Sequence, residues 1–296
     1  MNTTVPSTQQ FDVYASVTTI IITAIERGAG AFVMPWHRTG SDISRPANVA
    51  TGAAYRGVNV IALWAQAMSA GFQSPHWGTY RQWAALDAPV RRGERGSPIL
   101  FYKPARARDQ DKDDEQRKRF LVRASWVFNA EQVEGWEAPA PVCVSEPERV
   151  EAAEALVAST GASVLHGGDQ AYYAPRQDEI HLPLRSQFLA SPTRTSTEAY
   201  YAVLLHELVH WSGASHRLDR TFGLRFGDRA YAAEELVAEL GAAFLCADLG
   251  ISNDPRPDHA AYVADWLSVL GSDKRAIVTA SRLAAEAASF LTRDRN

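Results

Sequence analysis

The run His206-Glu207-Leu208-Val209-His210 constrains this chain more than any other stretch, because its chemistry works only on a helix. Residues four apart stand one above the other on a helical face, so both imidazoles can reach one ion while the glutamate is placed to polarise a water on it. Val203, Leu204 and Leu205 lead into the motif, and the helix is expected to open near Ser196 or Thr197. His206 and His210 are thus candidate metal ligands and Glu207 the candidate general base. The motif implies Zn2+, with Mn2+ as the alternative ion.

A catalytic ion needs a third protein ligand and an open position. The stretch Ala233-Glu-Glu-Leu-Val-Ala-Glu-Leu-Gly-Ala-Ala-Phe supplies Glu234, Glu235 and Glu239, of which Glu235 and Glu239 share a helical face. Glu235 reads as the ligand and Glu239 as the acceptor for a ligand histidine's other ring nitrogen, although the reverse order fits the same spacing. His216 is a competing ligand, since His210, Gly213 and His216 satisfy the HExxHxxGxxH spacing. Tyr172, Tyr173 and Tyr231 are the candidate oxyanion donors.

The chain has 296 residues, 46% of them hydrophobic, which is enough for two ordinary cores. No apolar run approaches the roughly 20 residues that cross a bilayer, and Met1 to Gln10 is polar, so a cytoplasmic protein without a membrane partner is expected. Cys143 and Cys246 lie far apart without CxxC spacing, which argues against a disulfide framework or a thiolate zinc site. The net charge of −4 conceals an asymmetry: residues 1–130 carry 16 Lys and Arg against 10 Asp and Glu, and the remainder carries 14 against 24. A basic half joined to an acidic half points the first towards a polyanion.

Helices are expected over Asp12 to Arg27 and Val58 to Ala70, closed by Gly28 and Gly71, with a short one over Thr79 to Leu86. Ser97 to Lys103 and Phe120 to Phe128 read as strands joined by a charged, mobile loop. The Pro-rich stretch 137–147 is the best linker, dividing the chain into domains at 1–136 and 148–296. Beyond it come a helix over Glu148 to Ala158, short strands at Ala162 to Leu165, Ala171 to Ala174 and Glu179 to Leu182, and then helices to the end. The class is α+β, with a nucleic-acid-binding α+β domain followed by a mostly helical one holding a small sheet.

Within the basic half, aromatic residues alternate with cations: Trp36, Tyr55 and Arg56, Trp77, Tyr80 and Arg81, Arg91, Arg92, Arg95 and Lys103, with Asn59 as a further candidate contact. Exposed rings stack on bases and cations track phosphates in single-stranded nucleic acid, although the same aromatic residues also build cores.

The segments Pro46-Ala-Asn48, Tyr55-Arg-Gly-Val-Asn59, Trp77-Gly-Thr-Tyr80, Val90-Arg-Arg-Gly-Glu-Arg-Gly96 and Val127-Phe-Asn129 resemble the N-terminal domain of ArdC-type antirestriction proteins of conjugative plasmids, shared with plasmid TraC primases. His206 to Gly213, Arg217-Leu-Asp-Arg220, Tyr231, Glu234 to Glu239, Tyr262 and Trp266 resemble the zincin-like domain of the same family. The resemblance implies a single-stranded-DNA-binding first domain, a metallopeptidase-like second domain with a protein substrate, and protection of incoming plasmid DNA during conjugation. It also favours a glutamate over His216 as third ligand. The competing reading is a DNA-binding protection factor whose metal domain is inert or structural.

Overall fold

The computed structural model describes residues 12–28, 33–39, 43–104, 120–139, 144–220, 229–254, 259–273 and 275–293. The expected opening helices form as α1 (Val13–Gly28) and α2 (Val58–Ala70), each burying the apolar stripe read from its periodicity. The backbone of Gly71 turns left-handed at φ 75°, where its N–H bonds Ala67 O and ends α2. The short third helix, α3 (Tyr80–Ala84), is held by reciprocal bonds between Thr79 and Gln82.

β1 (Ala47–Asn48), β2 (His76–Gly78), β3 (Ser97–Pro104) and β4 (Phe120–Asn129) make a sheet of order β1-β2-β4-β3. β3 and β4 pair antiparallel from Ser97 opposite Val127 to Pro104 opposite Phe120. The expected loop between them, at 105–119, lies outside the described residues, as does Cys143. β1 and β2 are absent from the sequence reading because two or three residues are too few to show an alternation.

The second half follows as α4 (Glu146–Thr160), β5 (Ser163–His166), β6 (Tyr172–Ala174), β7 (Glu179–Leu182), α5 (Ser196–Ser212), α6 (Arg229–Leu249), α7 (His259–Ser272) and α8 (Ala276–Leu291). Its sheet has the order β5-β7-β6, with β6 and β7 packed against α5. The architecture is α+β, as expected. Cys246 is a buried free thiol on α6. No helix among the described residues is long and apolar enough to cross a membrane.

One main core runs through both halves. Val17, Ile21, Ile25, Trp36 and Trp64 belong to the same buried cluster as Leu205, Phe244, Trp266 and Ile277, because α1 packs on α7 and α2 on α8. Trp36 meets Trp266 edge-on at 5.8 Å, and Trp64 meets Phe244 at 6.1 Å. Arg45 spans the halves to Asp248 at 2.7 Å, and Asn253 Nδ2 donates to Trp36 O. Two smaller clusters sit in the first half, around Trp77 and around Trp83.

Candidate metal centre and nucleic-acid interface

Helix α5 begins with a reciprocal cap, in which Thr195 Oγ1 accepts from Glu198 N and Glu198 Oε2 accepts from Thr195 N. Almost every side chain from Glu198 to Ser212 is buried, so His206, Glu207 and His210 point into protein. Helix α6 lies close alongside because Gly241 has no side chain: a Cβ there would stand 2.8 and 2.9 Å from the methyls of Val209. That approach sets the glutamates of α6 against the histidines of α5.

His206 Nε2 and His210 Nε2 face each other at 3.2 Å. The two oxygens of Glu235 complete the triangle, one 3.6 Å from His206 Nε2 and the other 3.5 Å from His210 Nε2. Ligand atoms about 2.0–2.2 Å from a tetrahedral ion are separated by roughly 3.3–3.6 Å, so the three side chains are spaced as the corners of one coordination sphere. Each imidazole is also held from its far side. Glu239 Oε1 is 3.2 Å from His206 Nδ1, and Glu234 Oε1 is 3.3 Å from His210 Nδ1. Such outer carboxylates fix the ring and leave the inner nitrogen's lone pair for an ion.

Arg220 anchors this arrangement. Its guanidinium donates to both oxygens of Glu234, at 2.8 and 3.1 Å, and to Ser212 Oγ at 3.0 Å and Val209 O. The turn after α5 delivers it there, with Asp219 at φ 49° and Arg220 N donating to Gly213 O. Glu207, Glu234, Glu235 and Glu239 are all buried, and Arg220 pairs with Glu234. With neutral imidazoles the four carboxylates outnumber this arginine by three charges, an imbalance that a dication relieves.

The electrostatics of the site agree. Burial opposes a charge on His210, but Glu234 and Glu235 outweigh it and carry the imidazole up to about 10. Burial likewise opposes the charge on Glu235, yet His206 and His210 hold its carboxyl far below the usual range. A site that draws protons so strongly onto its ligands is one where a cation would replace them.

His216 stands apart from this group. Its side chain is 61% exposed, and its Nε2 lies 3.5 Å from Asp178 Oδ2. Tyr173 is engaged elsewhere: its hydroxyl donates to Asp178 Oδ1 and accepts from Arg217, and burial together with Asp178 pushes its pKa up to about 12. Tyr172 stacks on His181 at 4.7 Å, and Tyr231 is half-buried on α6.

The residues singled out for nucleic acid divide by burial. Trp36 and Trp77 are core residues with no open face for a base, and Asn59 is committed to the backbone of Leu100 through both ends of its amide. These three are corrections: interleaved aromatic residues cannot be sorted into core and surface by composition. Tyr55 is half-buried against Asn48. Arg91 braces a turn by bonding Glu94 and the carbonyls of Glu131 and Val133. Arg56, Tyr80, Arg81, Arg92 and Arg95 are exposed, and the side chain of Lys103 lies outside the described residues.

The sequence reading missed Glu234 and Arg220 as a linked pair, although Arg220 lay in a quoted motif. It also missed the exposed rings Phe101 and Trp126 on β3 and β4.

The family described as a zincin-like metallopeptidase matches residues 151–283, and the N-terminal domain of anti-restriction factor ArdC matches residues 11–128. The Sinorhizobium fredii (strain NBRC 101917 / NGR234) protein y4eC is 49% identical over 95% of this chain and 91% of its own length. A DNA primase TraC of Escherichia coli is 38% identical over 92% of this chain, which spans 26% of that primase. Crystal structures of the antirestriction ArdC protein from the R388 plasmid superpose with a TM-score of 0.77 in both Mn(II)-bound and metal-free forms. The Mn(II)-bound form is 36% identical, with 96% of this chain and 98% of that one covered.

Proposed function

Since the chain belongs to the ArdC family of antirestriction proteins, we propose that it binds single-stranded DNA through its first half and hydrolyses peptide bonds at a zinc site in its second. It would act in the cytoplasm to protect incoming plasmid DNA during conjugation. The observation that carries the enzymatic part is the convergence of His206, His210 and Glu235 on one point, backed by Glu239 and Glu234.

A divalent cation on those three residues would supply Lewis acidity to a water and to the scissile carbonyl oxygen. Glu207, between the two histidines in sequence and buried with them, accepts the water proton as the oxygen–carbon bond forms. It returns that proton to the amide nitrogen as the carbon–nitrogen bond breaks. Glu239 and Glu234 keep both imidazoles oriented throughout. The exposed Tyr80, Arg81, Arg92 and Arg95 support nucleic-acid binding by the first half.

Glu207→Gln tests the reading, with metal content of the purified protein measured by mass spectrometry. The variant should keep zinc, lose cleavage of a mixed peptide library, and lose protection of transferred DNA from restriction. Full protection by a zinc-loaded Glu207→Gln protein would make hydrolysis unnecessary and leave the metal a structural role. Manganese in place of zinc would correct the ion alone.

A further inference from the structure

The turn that follows α5 carries two arginines that reach in different directions. Arg220 goes to Glu234, behind the candidate ligand His210, whereas Arg217 goes to the second sheet. Only 8% of the Arg217 side chain is exposed, and each of its guanidinium nitrogens is engaged. Nε donates to Trp211 O at 2.6 Å, Nη1 to Asp178 Oδ2 at 3.0 Å, and Nη2 to Asp178 Oδ1 and, at 3.2 Å, to the Tyr173 hydroxyl. The same group lies over the Trp211 ring, 3.7 Å from its centroid, and Trp211 is the residue directly after His210. Asp178 closes the turn between β6 and β7 at φ 57°, a conformation that Asp and Asn adopt more readily than other non-glycine residues. Arg217, with Tyr173, holds the Asp178 carboxyl below the usual carboxylate range.

The far end of this hairpin is fixed as well. His166, opposite Leu182 in the register of β5 and β7, stacks on Tyr200 of α5, and its Nε2 lies 3.0 Å from the Tyr200 hydroxyl. Between the two anchors Ile180 and Leu182 are fully buried. The hairpin therefore lies along α5 from Tyr200 to Trp211, the stretch that holds His206, Glu207 and His210, while α6 takes another flank of the same helix. A peptide drawn across an ion on that stretch passes beside the hairpin. We propose that Arg217 is a positioning residue for the reaction: it fixes the β6–β7 hairpin at a set offset from the ion, so that the hairpin forms a wall along which a substrate chain is aligned. Arginine suits this task because its fork grips a carboxylate at two points and so fixes angle as well as distance. The proposal rests on the reading of the metal centre as a peptidase, and adds to it a residue that acts on the placement of the substrate rather than on the ion.

The test compares two hydroxamates on the zinc-loaded full chain by calorimetry. Acetohydroxamate reads the ion alone, and N-acetyl-trialanine hydroxamate carries the same chelating group on a peptide arm. Wild type should bind the peptidyl compound more tightly. Arg217→Lys keeps the charge but not the fork, and Asp178→Asn suits the left-handed turn but removes the charge. Each should weaken the peptidyl compound by up to roughly 100-fold, the effect of a displacement of about 1 Å, and leave acetohydroxamate within about twofold. Combining the two substitutions should add little, since both open one clamp. Equal losses on the two compounds would overturn the proposal by showing that the clamp acts on the ligand set. No loss on either would overturn it by leaving the clamp a purely structural role; in both cases the peptidase reading survives. If the peptide arm adds nothing to wild-type binding, the hairpin is no such wall and the proposal falls. Failure of the zinc-loaded wild type to cleave peptides would overturn the reading beneath it as well.

Discussion

Glu234→Gln should weaken ion binding about 10- to 100-fold while the fold stays intact, the usual effect of altering a carboxylate behind a ligand histidine. The substitution preserves shape and retains one acceptor oxygen for His210 Nδ1, so what it removes is charge. In the native site that charge is shared between His210 at 3.3 Å and the Arg220 guanidinium at 2.8 Å. Without it, Arg220 faces the ion side of the cluster uncompensated, and His210 becomes a weaker donor. The loss corresponds to about 1.4–2.8 kcal/mol of binding free energy. Arg220→Ala is expected to behave differently: it strands a buried carboxylate and should cost about 3–5 kcal/mol of stability, a large part of the roughly 5–15 kcal/mol that holds a typical domain folded. Competition with a chromogenic chelator gives the affinity, and thermal melts of the same samples give the stability. Glu286→Gln is the control, because Glu286 is half-exposed and pairs along α8 with Arg282. If Glu234→Gln binds the ion within twofold of wild type, as the control should, then Glu234 does not support His210 and the reasoning fails.

Other outcomes follow from the same geometry. Glu235→Ala should abolish stoichiometric ion binding with the helices retained by circular dichroism, and an unchanged metal content would exclude Glu235 as a ligand. In the ion-free protein the His210 proton persists to about pH 10, above the ~6.5 of an unfolded histidine. It therefore favours the ion-free fold fully below about pH 6.5, an advantage lost as pH rises through 10. Ion affinity should accordingly rise between pH 7 and 10, and calorimetry in buffers of different ionisation enthalpy should detect proton release. Gly241→Ala should push α6 from Val209 and weaken ion binding with little change in the proposed oligonucleotide binding, which paired metal and oligonucleotide titrations would reveal. Trp36→Ala should cost about 3–5 kcal/mol, and calorimetry should show the main core melting as one transition at lower temperature rather than as one half alone.

The candidate metal centre was legible because its spacing is itself chemistry. Two histidines four apart and two glutamates four apart need only be on helices to face one another, and helices were what the apolar runs around them required. Arg220 was hidden, since its place depends on a turn in which Asp219 adopts a positive φ, and no periodicity encodes that. Aromatic residues failed in both directions. Trp36 and Trp77 looked available and are buried, whereas Trp126 sat inconspicuously in a run of strand-forming residues and is 46% exposed. Which face of a strand or loop meets a core depends on what arrives from elsewhere in the chain.

The continuity of apolar packing from α1 and α2 into α7 and α8 has a practical meaning for anyone cutting this protein apart. A fragment ending in the Pro-rich stretch would carry Ile21, Ile25, Trp36 and Trp64 bare to water, and the complementary fragment would do the same with Phe244 and Trp266. Neither piece would be a tidy module that could be spliced onto another protein. What can be transplanted is the whole body, so any gain or loss of the first half in a descendant must bring along, or rebuild, the helices that shelter it.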